Sequence, residues 1–219
     1  MLDFHYHPLS PIARRVWLAL LEREIPFTPC LVDLKNHENF EPEYLAIHPF
    51  HHVPALVDGE LKLIESFAIL DYLEAKFPAR PLSPTPPKAI GQMKMVQLVV
   101  ANELMPLLPK LVFLASDQGA GDEEVQARLN TVLTFLAEQL AGDYFGGDRL
   151  SLADITVGAA LPLMRRMGVD LGAYPSLAAW CDRVSARPAW QQTEPSDEEL
   201  SGWRRWISVM VKRRHRSAA

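Results

Sequence analysis

Short apolar runs and helical stripes alternate along the first third of the chain, and helical periodicity alone fills the rest. Residues 2–6 read as a first strand, although Asp3 and His5 interrupt its apolar character. Ser10-Pro11 then opens a helix to about residue 24. Serine suits the N-cap, proline at the first helical position has no amide to leave unpaired, and Ile12, Val16, Ala19 and Leu20 form the apolar stripe. Pro26 ends this helix, and residues 27–34, containing Cys30, read as a second strand, which completes a β-α-β unit. Residues 53–57 and 61–64 are two further runs around Asp58-Gly59, the dipeptide that two-residue hairpin turns favour, and predict an antiparallel hairpin. Pro54 cannot donate to a ladder, so it belongs at an edge or opening residue, where a cis peptide bond is one option and an edge leaves backbone open to a ligand. Ser66 precedes Phe67, Ile69, Leu70 and Leu73 at helical spacing and reads as an N-cap, with Glu65 before it as a solvated acid.

Phe77-Pro78 closes this part. Pro78, Pro81, Pro84, Pro86 and Pro87 make a linker too rich in proline for a helix or a central strand. The division is residues 1–78, a linker at 79–88, and a helical domain at 89–219. Residues 89–115 form one long apolar segment, kinked or divided by Pro106 and Pro109. Residues 122–140 follow, with Val125, Leu129, Val132, Leu133 and Leu136 on one face. Gly142, Gly146 and Gly147 lack the order of a phosphate-binding fingerprint and read as turns. Ser151 and Asp154 make a capping box for a buried helix that Pro162 bends or ends, and Pro175 begins another. Residues 197–212 read as a final amphipathic helix whose Trp203 and Trp206 either cover a substrate pocket or pack on the core.

At 219 residues, 48% hydrophobic and 22% charged, the chain accommodates two ordinary globular domains. A net charge of -5 gives no general reason to bind nucleic acid, and Lys212, Arg213, Arg214 and Arg216 read as a frayed, solvated tail. Cys30 and Cys181 lie far apart, which indicates neither a disulfide framework nor a metal knuckle and suits a reducing compartment. The start of the chain lacks a secretory pattern, and no run approaches the roughly 18–20 apolar residues of a bilayer span, so a cytoplasmic protein without a membrane partner is expected. His48, His51 and His52 are adjacent in a loop, where ring vectors rarely converge, so no metal site is expected.

The stretch from Val53 to Leu70, with the block from Asn39 to Leu56, resembles the cytosolic glutathione transferases, specifically the serine-type phi and theta classes. The resemblance covers nearly the whole chain. It implies an α/β thioredoxin-like amino-terminal domain, β-α-β then α, β-β and α, followed by an all-α domain. It also implies that Val53 pairs its backbone with the cysteinyl part of glutathione, that Pro54 is a cis-proline, and that Glu65 and Ser66 hold the γ-glutamyl end. A carboxylate at Glu65 suits the ligand's ammonium, and Ser66 with the first amides of its helix suits its carboxylate. Asn39 stands where those classes often have histidine, His48 replaces an asparagine, and His51 replaces a glycine. His52 falls where lysine or glutamine contacts the glycyl carboxylate, so His52 or Asn39 is the donor there. Phe50 is either a local anchor or an aromatic key inserted into a partner subunit.

By the same resemblance Ser10 is the hydroxyl near the glutathione sulfur, in competition with a purely capping role. Bringing a thiol from about pH 8.5 to below 7 requires roughly 2 kcal/mol of preference for the thiolate, and one hydrogen bond to a charged group supplies about 1.5–3 kcal/mol. Arg14 is a second candidate for thiol activation, with Arg14 and Arg15 otherwise solvated. The implied activity is attack of activated glutathione, a co-substrate with no tightly bound cofactor, on an electrophilic carbon of a mostly apolar acceptor. The acceptor pocket is expected between the domains, in a homodimer. Glutathione-dependent hydroperoxide reduction at the same site and a non-catalytic interaction module are the alternatives.

Overall fold

The computed structural model describes residues 1–116 and 122–217, with side chains for 1–112 and 122–209. The chain divides into two compact units, residues 1–83 with 188–194, and residues 84–187 with 195–219.

In the first unit, β1 (Leu2–Tyr6), α1 (Pro11–Glu22) and β2 (Phe27–Leu31) form the expected parallel β-α-β unit. A 3-10 turn at Glu38–Phe40 and the short α2 (Pro42–Leu45) lead to β3 (Ala55–Asp58), β4 (Leu61–Ile64) and α3 (Ser66–Lys76). Among the described residues the strands form one sheet in the order β2-β1-β3-β4, with β3 antiparallel to both neighbours. Of the two places expected for Pro54, an edge or an opening position, the order excludes the edge, because β3 is interior, and Pro54 stands directly before Ala55, where the ladder opens. The hairpin register differs by one from the expectation. Asp58 pairs with Leu61, which leaves Gly59 and Glu60 at the turn centre, and Gly59 takes the positive φ of +62° that the turn demands. β2 stops at Leu31, short of residue 34, since Asp33 Oδ1 accepts the amides of Lys35 and Asn36 and turns the chain.

Leu2 and Phe4 of β1, Leu56 of β3, Val16 and Leu20 of α1, and Ile69 and Leu73 of α3 form one core cluster, so both long helices cover the same sheet face. Ala13, Val32, Tyr44 and Val53 make a second, smaller cluster. Val16, Ala19 and Leu20 of the stripe expected on α1 are buried, and the buried face is wider than that stripe. Ile12 is exposed, whereas Ala13, Arg14 and Arg15 are buried.

The second unit begins with α4 (Pro87–Val99). A π-helical turn (Val100–Leu104) and a 3-10 turn (Met105–Leu107) then carry the chain past Pro106 into α5 (Leu108–Ser116), so the prolines divide the apolar segment as expected. By length and composition the continuous stretch Pro87–Val112 could cross a bilayer, which corrects the expectation that no run approaches that size. One side of it packs within this unit, where the buried Gln97 of α4 donates to Leu152 O at 3.5 Å and to Thr156 Oγ1 at 3.3 Å. α6 (Glu123–Gln139) is capped by Asp122 and buries all five of the apolar residues on its expected face. α7 (Leu152–Gly158), α8 (Leu161–Arg166) and α9 (Pro175–Ser185) follow, and the break ahead of Pro162 ends α7.

α10 (Pro188–Gln192) was not foreseen, and its segment groups with the first unit although it lies in the helical half of the chain. α11 (Asp197–Ser217) continues past residue 212, so a helix stands where a frayed tail was expected. The side chains of Lys212 to Arg216 lie outside the described residues. Trp203 is half-buried and Trp206 is 47% exposed, so core packing does not account for the second tryptophan.

Asp154 holds the second unit together at one buried point. Its carboxylate accepts the amides of Phe145 and Ser151, the Ser151 hydroxyl and the Trp180 indole N–H, all within 2.9 Å. Removing it orphans these donors in a site with no solvent access. Asp154→Ala is expected to destabilise the protein by about 3 kcal/mol or more, read as a shift in the urea unfolding midpoint with little change in slope.

Candidate functional site

β1 delivers the chain to a tight turn in which Ser10 N–H donates to His7 O at 3.0 Å and Leu9 N–H to His7 Nδ1 at 3.3 Å. Ser10 is extended, with φ -87° and ψ 110°, and its Oγ accepts the Ala13 N–H at 3.2 Å as the cap of α1. That bond uses one oxygen lone pair and leaves the hydroxyl hydrogen available. The hydroxyl is half-buried at the positive end of a twelve-residue helix whose first turn has no acidic residue. Capping and donation to an anion are therefore compatible at Ser10.

Arg14 is not solvated. It is 1% exposed, its Nε donates to Thr193 Oγ1 at 3.1 Å, and its Nη2 pairs with Glu194 at 3.0 Å and reaches Trp190 O at 3.5 Å. The guanidinium thus ties α1 to the returning segment that carries α10. This arrangement supplies its counter-charge from Glu194 and gives it a structural task beside the thiol-activating role weighed for it.

Residues 37–54 are held by side chains bonded to main chain. Asn39 is buried, and its Nδ2 donates to His51 O at 2.7 Å, while the Tyr44 hydroxyl donates to His52 O at 2.6 Å. These two bonds fix the carbonyls that precede Val53-Pro54, whose peptide is cis. Asn39 is therefore committed to the loop by its amide nitrogen, with Oδ1 buried and unpaired, and the exposed His52 is the better placed of the two expected donors. His51 adopts φ +49°, the left-handed conformation that glycine takes more readily, and its ring stacks on Phe40 with centroids 4.3 Å apart. The ring of His52 crosses those of His48 and His51 at 62° and 82°. Among the described residues, no group of three or more His, Cys, Asp or Glu side chains is placed to hold a metal ion.

The start of α3 differs from expectation. Glu65, not Ser66, occupies the cap position, with φ +67° and ψ 112°, and Ser66 is the first helical residue. The first helical bond runs from Ile69 N–H to Glu65 O, which leaves the amides of Ser66, Phe67 and Ala68 outside the ladder. A non-glycine residue at such a φ stores strain, and strain of this kind concentrates where ligands are held. Ser66 is buried, and its Oγ accepts from Arg15 Nη1 at 3.3 Å. Arg15, expected to be solvated, is instead buried. The available signal is its place in α1 three and four positions before the apolar Leu18 and Ala19, on a face that has to be covered.

Two family models match the chain: the glutathione S-transferase amino-terminal domain over residues 4–81 and the glutathione S-transferase carboxy-terminal domain over residues 100–188. Glutathione S-transferase F10 of Arabidopsis thaliana is 32% identical over 204 residues, which cover 85% of this chain and 94% of that protein. Among solved structures, a delta-class glutathione transferase of Nilaparvata lugens superposes with a TM-score of 0.81 at 26% identity, covering 96% of this chain and all of that one. A glutathione transferase homologue from Sulfitobacter with bound glutathione superposes with a TM-score of 0.71 at 28% identity, over 91% of this chain and 99% of that one.

The loop carries its own acid sensitivity. Burial, reinforced by His52, holds the His48 ring below its ordinary pKa of 6.5, and His48 Nδ1 is buried without a partner. A lowered folded-state pKa means that the unfolded chain takes up the proton first, so the stability present above the unfolded pKa is lost as pH falls through the folded one. His48→Asn is expected to flatten the loss of unfolding free energy between about pH 6.5 and pH 5 relative to the unmodified protein. Identical pH profiles in urea titrations would remove His48 from this role.

Proposed function

The chain belongs to the glutathione S-transferase family and is an enzyme of that type, and from this premise we propose that it ionises the glutathione thiol at Ser10 and directs the thiolate at a small, mostly apolar electrophile. The observation that carries this reading is the cap of α1. Ser10 Oγ accepts from Ala13 N–H and retains its own hydrogen, beside a helix terminus that favours negative charge. Ser10 is then a donor to the sulfur and not a nucleophile. Catalysis rests on thiolate stabilisation and on holding the tripeptide in place, with no chemistry required of a resident cofactor.

Each part of glutathione has a matching feature in this reading. Glu65 and Ser66 take the γ-glutamyl end, Val53 lends its main chain to the cysteinyl part, and His52 faces the glycyl carboxylate. The main-chain groups of Val53 precede the ladder that opens at Ala55, which supports their use for a ligand. Both cysteines, Cys30 and Cys181, are free thiols, in keeping with a reducing cytosolic setting. A homodimer accounts for the exposed Ile90, Met95 and Leu98 on α4 and for Phe50, which is 58% exposed.

Retention on immobilised glutathione, followed by rates with a nitroaromatic halide and with cumene hydroperoxide, tests the activity. The expected outcome is retention with faster turnover of the halide. Absence of both retention and turnover would return the chain to a non-catalytic role in the same fold. Ser10→Ala is expected to raise the pH at which bound glutathione ionises by one unit or more, about 1.4 kcal/mol, while leaving most of its affinity. The ultraviolet absorbance of the bound thiolate, titrated with pH, is the readout.

A further inference from the structure

We propose that Arg15 is the built-in counter-charge for a carboxylate held at the first turn of α3, acting through Ser66 as a positioning residue. Resting on the reading above, that carboxylate is the α-carboxylate at the γ-glutamyl end of glutathione. The argument begins from three buried guanidinium groups in the first unit. Arg14 is 1% exposed and pairs with Glu194 at 3.0 Å, and Arg23 is 4% exposed and pairs with Glu74, also at 3.0 Å. Arg15 is 3% exposed and, among the described residues, has no carboxylate within ion-pair distance. Its Nη1 donates to Ser66 Oγ at 3.3 Å, and its Nε is buried without a hydrogen-bond partner. Burial lowers its pKa to about 10, with Glu65 opposing from nearby, so it remains a cation at neutral pH.

A buried cation without an anion is unfavourable, and proteins pair such groups or use them. The direction in which Arg15 points decides between these. Its guanidinium carbon lies 4.7 Å from the Phe67 ring centroid, and Ser66 and Phe67 are the first two residues of α3. The amides of Ser66, Phe67 and Ala68 are free of the helix ladder at this terminus, an arrangement suited to an anion. The exposed Glu65 carboxylate adjoins it. A cation and three amides beside one acid complement the carboxylate and ammonium of an α-amino acid, and this is the chemistry of the γ-glutamyl end. Arg15 also stands on the helix that Ser10 caps, so the group that reads one end of the ligand is braced against the element that meets its sulfur.

The test compares glutathione with 4-aminobutanoyl-cysteinyl-glycine, which replaces that α-carboxylate with hydrogen, by calorimetric titration of the full chain. The unmodified protein is expected to bind glutathione roughly tenfold tighter or more, about 1.4 kcal/mol. Arg15→Met is expected to bind the two peptides alike, and to raise KM for glutathione with little change in kcat, whereas Arg15→Lys keeps part of the preference. Arg15→Met with the original preference intact, or with both peptides weakened equally, overturns the proposal. Should Arg15→Met fail to fold, nitrogen-15 resonances of the Arg15 side chain in the unmodified protein serve instead. Movement with glutathione but not with the analogue supports the assignment, and equal movement overturns it. An unmodified protein that binds neither peptide refutes the glutathione reading itself, a result distinct from any Arg15 outcome.

Discussion

Two neighbouring guanidinium groups buried on one helix set a constraint that the rest of the first unit has to meet. Arg14 and Arg15 both lie under the surface of α1, where an uncompensated charge would cost several kcal/mol in effective desolvation. Consecutive residues on a helix point about 100° apart, and the two take different partners. Arg14 reaches Glu194 and Thr193 on the returning segment, and Arg15 reaches Ser66 on α3. Helix α1 is thereby fastened on two sides as well as packed on the sheet through Val16 and Leu20.

That fastening matters because the proposed site is assembled mostly from main chain. The cap at Ser10, the carbonyls of His51 and His52, the residues before β3 and the first amides of α3 are positioned by backbone path, and only a rigid frame keeps such a path within hydrogen-bonding tolerance. Asn39 and Tyr44 hold the loop from below by donating to the two carbonyls. His37, His51 and Glu65 adopt positive φ without being glycine, and the surrounding bonds sustain that strain. The unusual histidines of the loop are thus legible as structure: His48 is buried, His51 stacks on Phe40 and His52 is exposed.

The second unit rests on a different device, a single buried carboxylate at Asp154 that satisfies a loop, a helix start and a tryptophan together. Around it the helices are apolar and short, separated at prolines that cannot continue them. The long stretch Pro87–Val112 departs from regular α-helix before Pro106, where a π-helical turn and a 3-10 turn replace the bonds that proline removes.

What the chain determined by itself is the set of elements whose signals are contiguous. Ser10-Pro11 starts a helix, Asp122 caps another, the Ser151–Asp154 box opens a third, and the family resemblance in residues 39–70 gives the fold and the ligand. Short-range sterics and capping bonds act within a few residues and therefore survive in the sequence. Tertiary structure decided that Pro54 lies beside an interior strand, that Glu65 displaces Ser66 from the cap, that Asn39 serves the loop, and that Arg14 and Arg15 are buried. The reason is that the fate of a polar group depends on a partner brought from elsewhere. Arg14 finds Glu194 across 180 positions and Arg15 finds Ser66 across 51, distances over which no local pattern can report that a charge will be taken out of water.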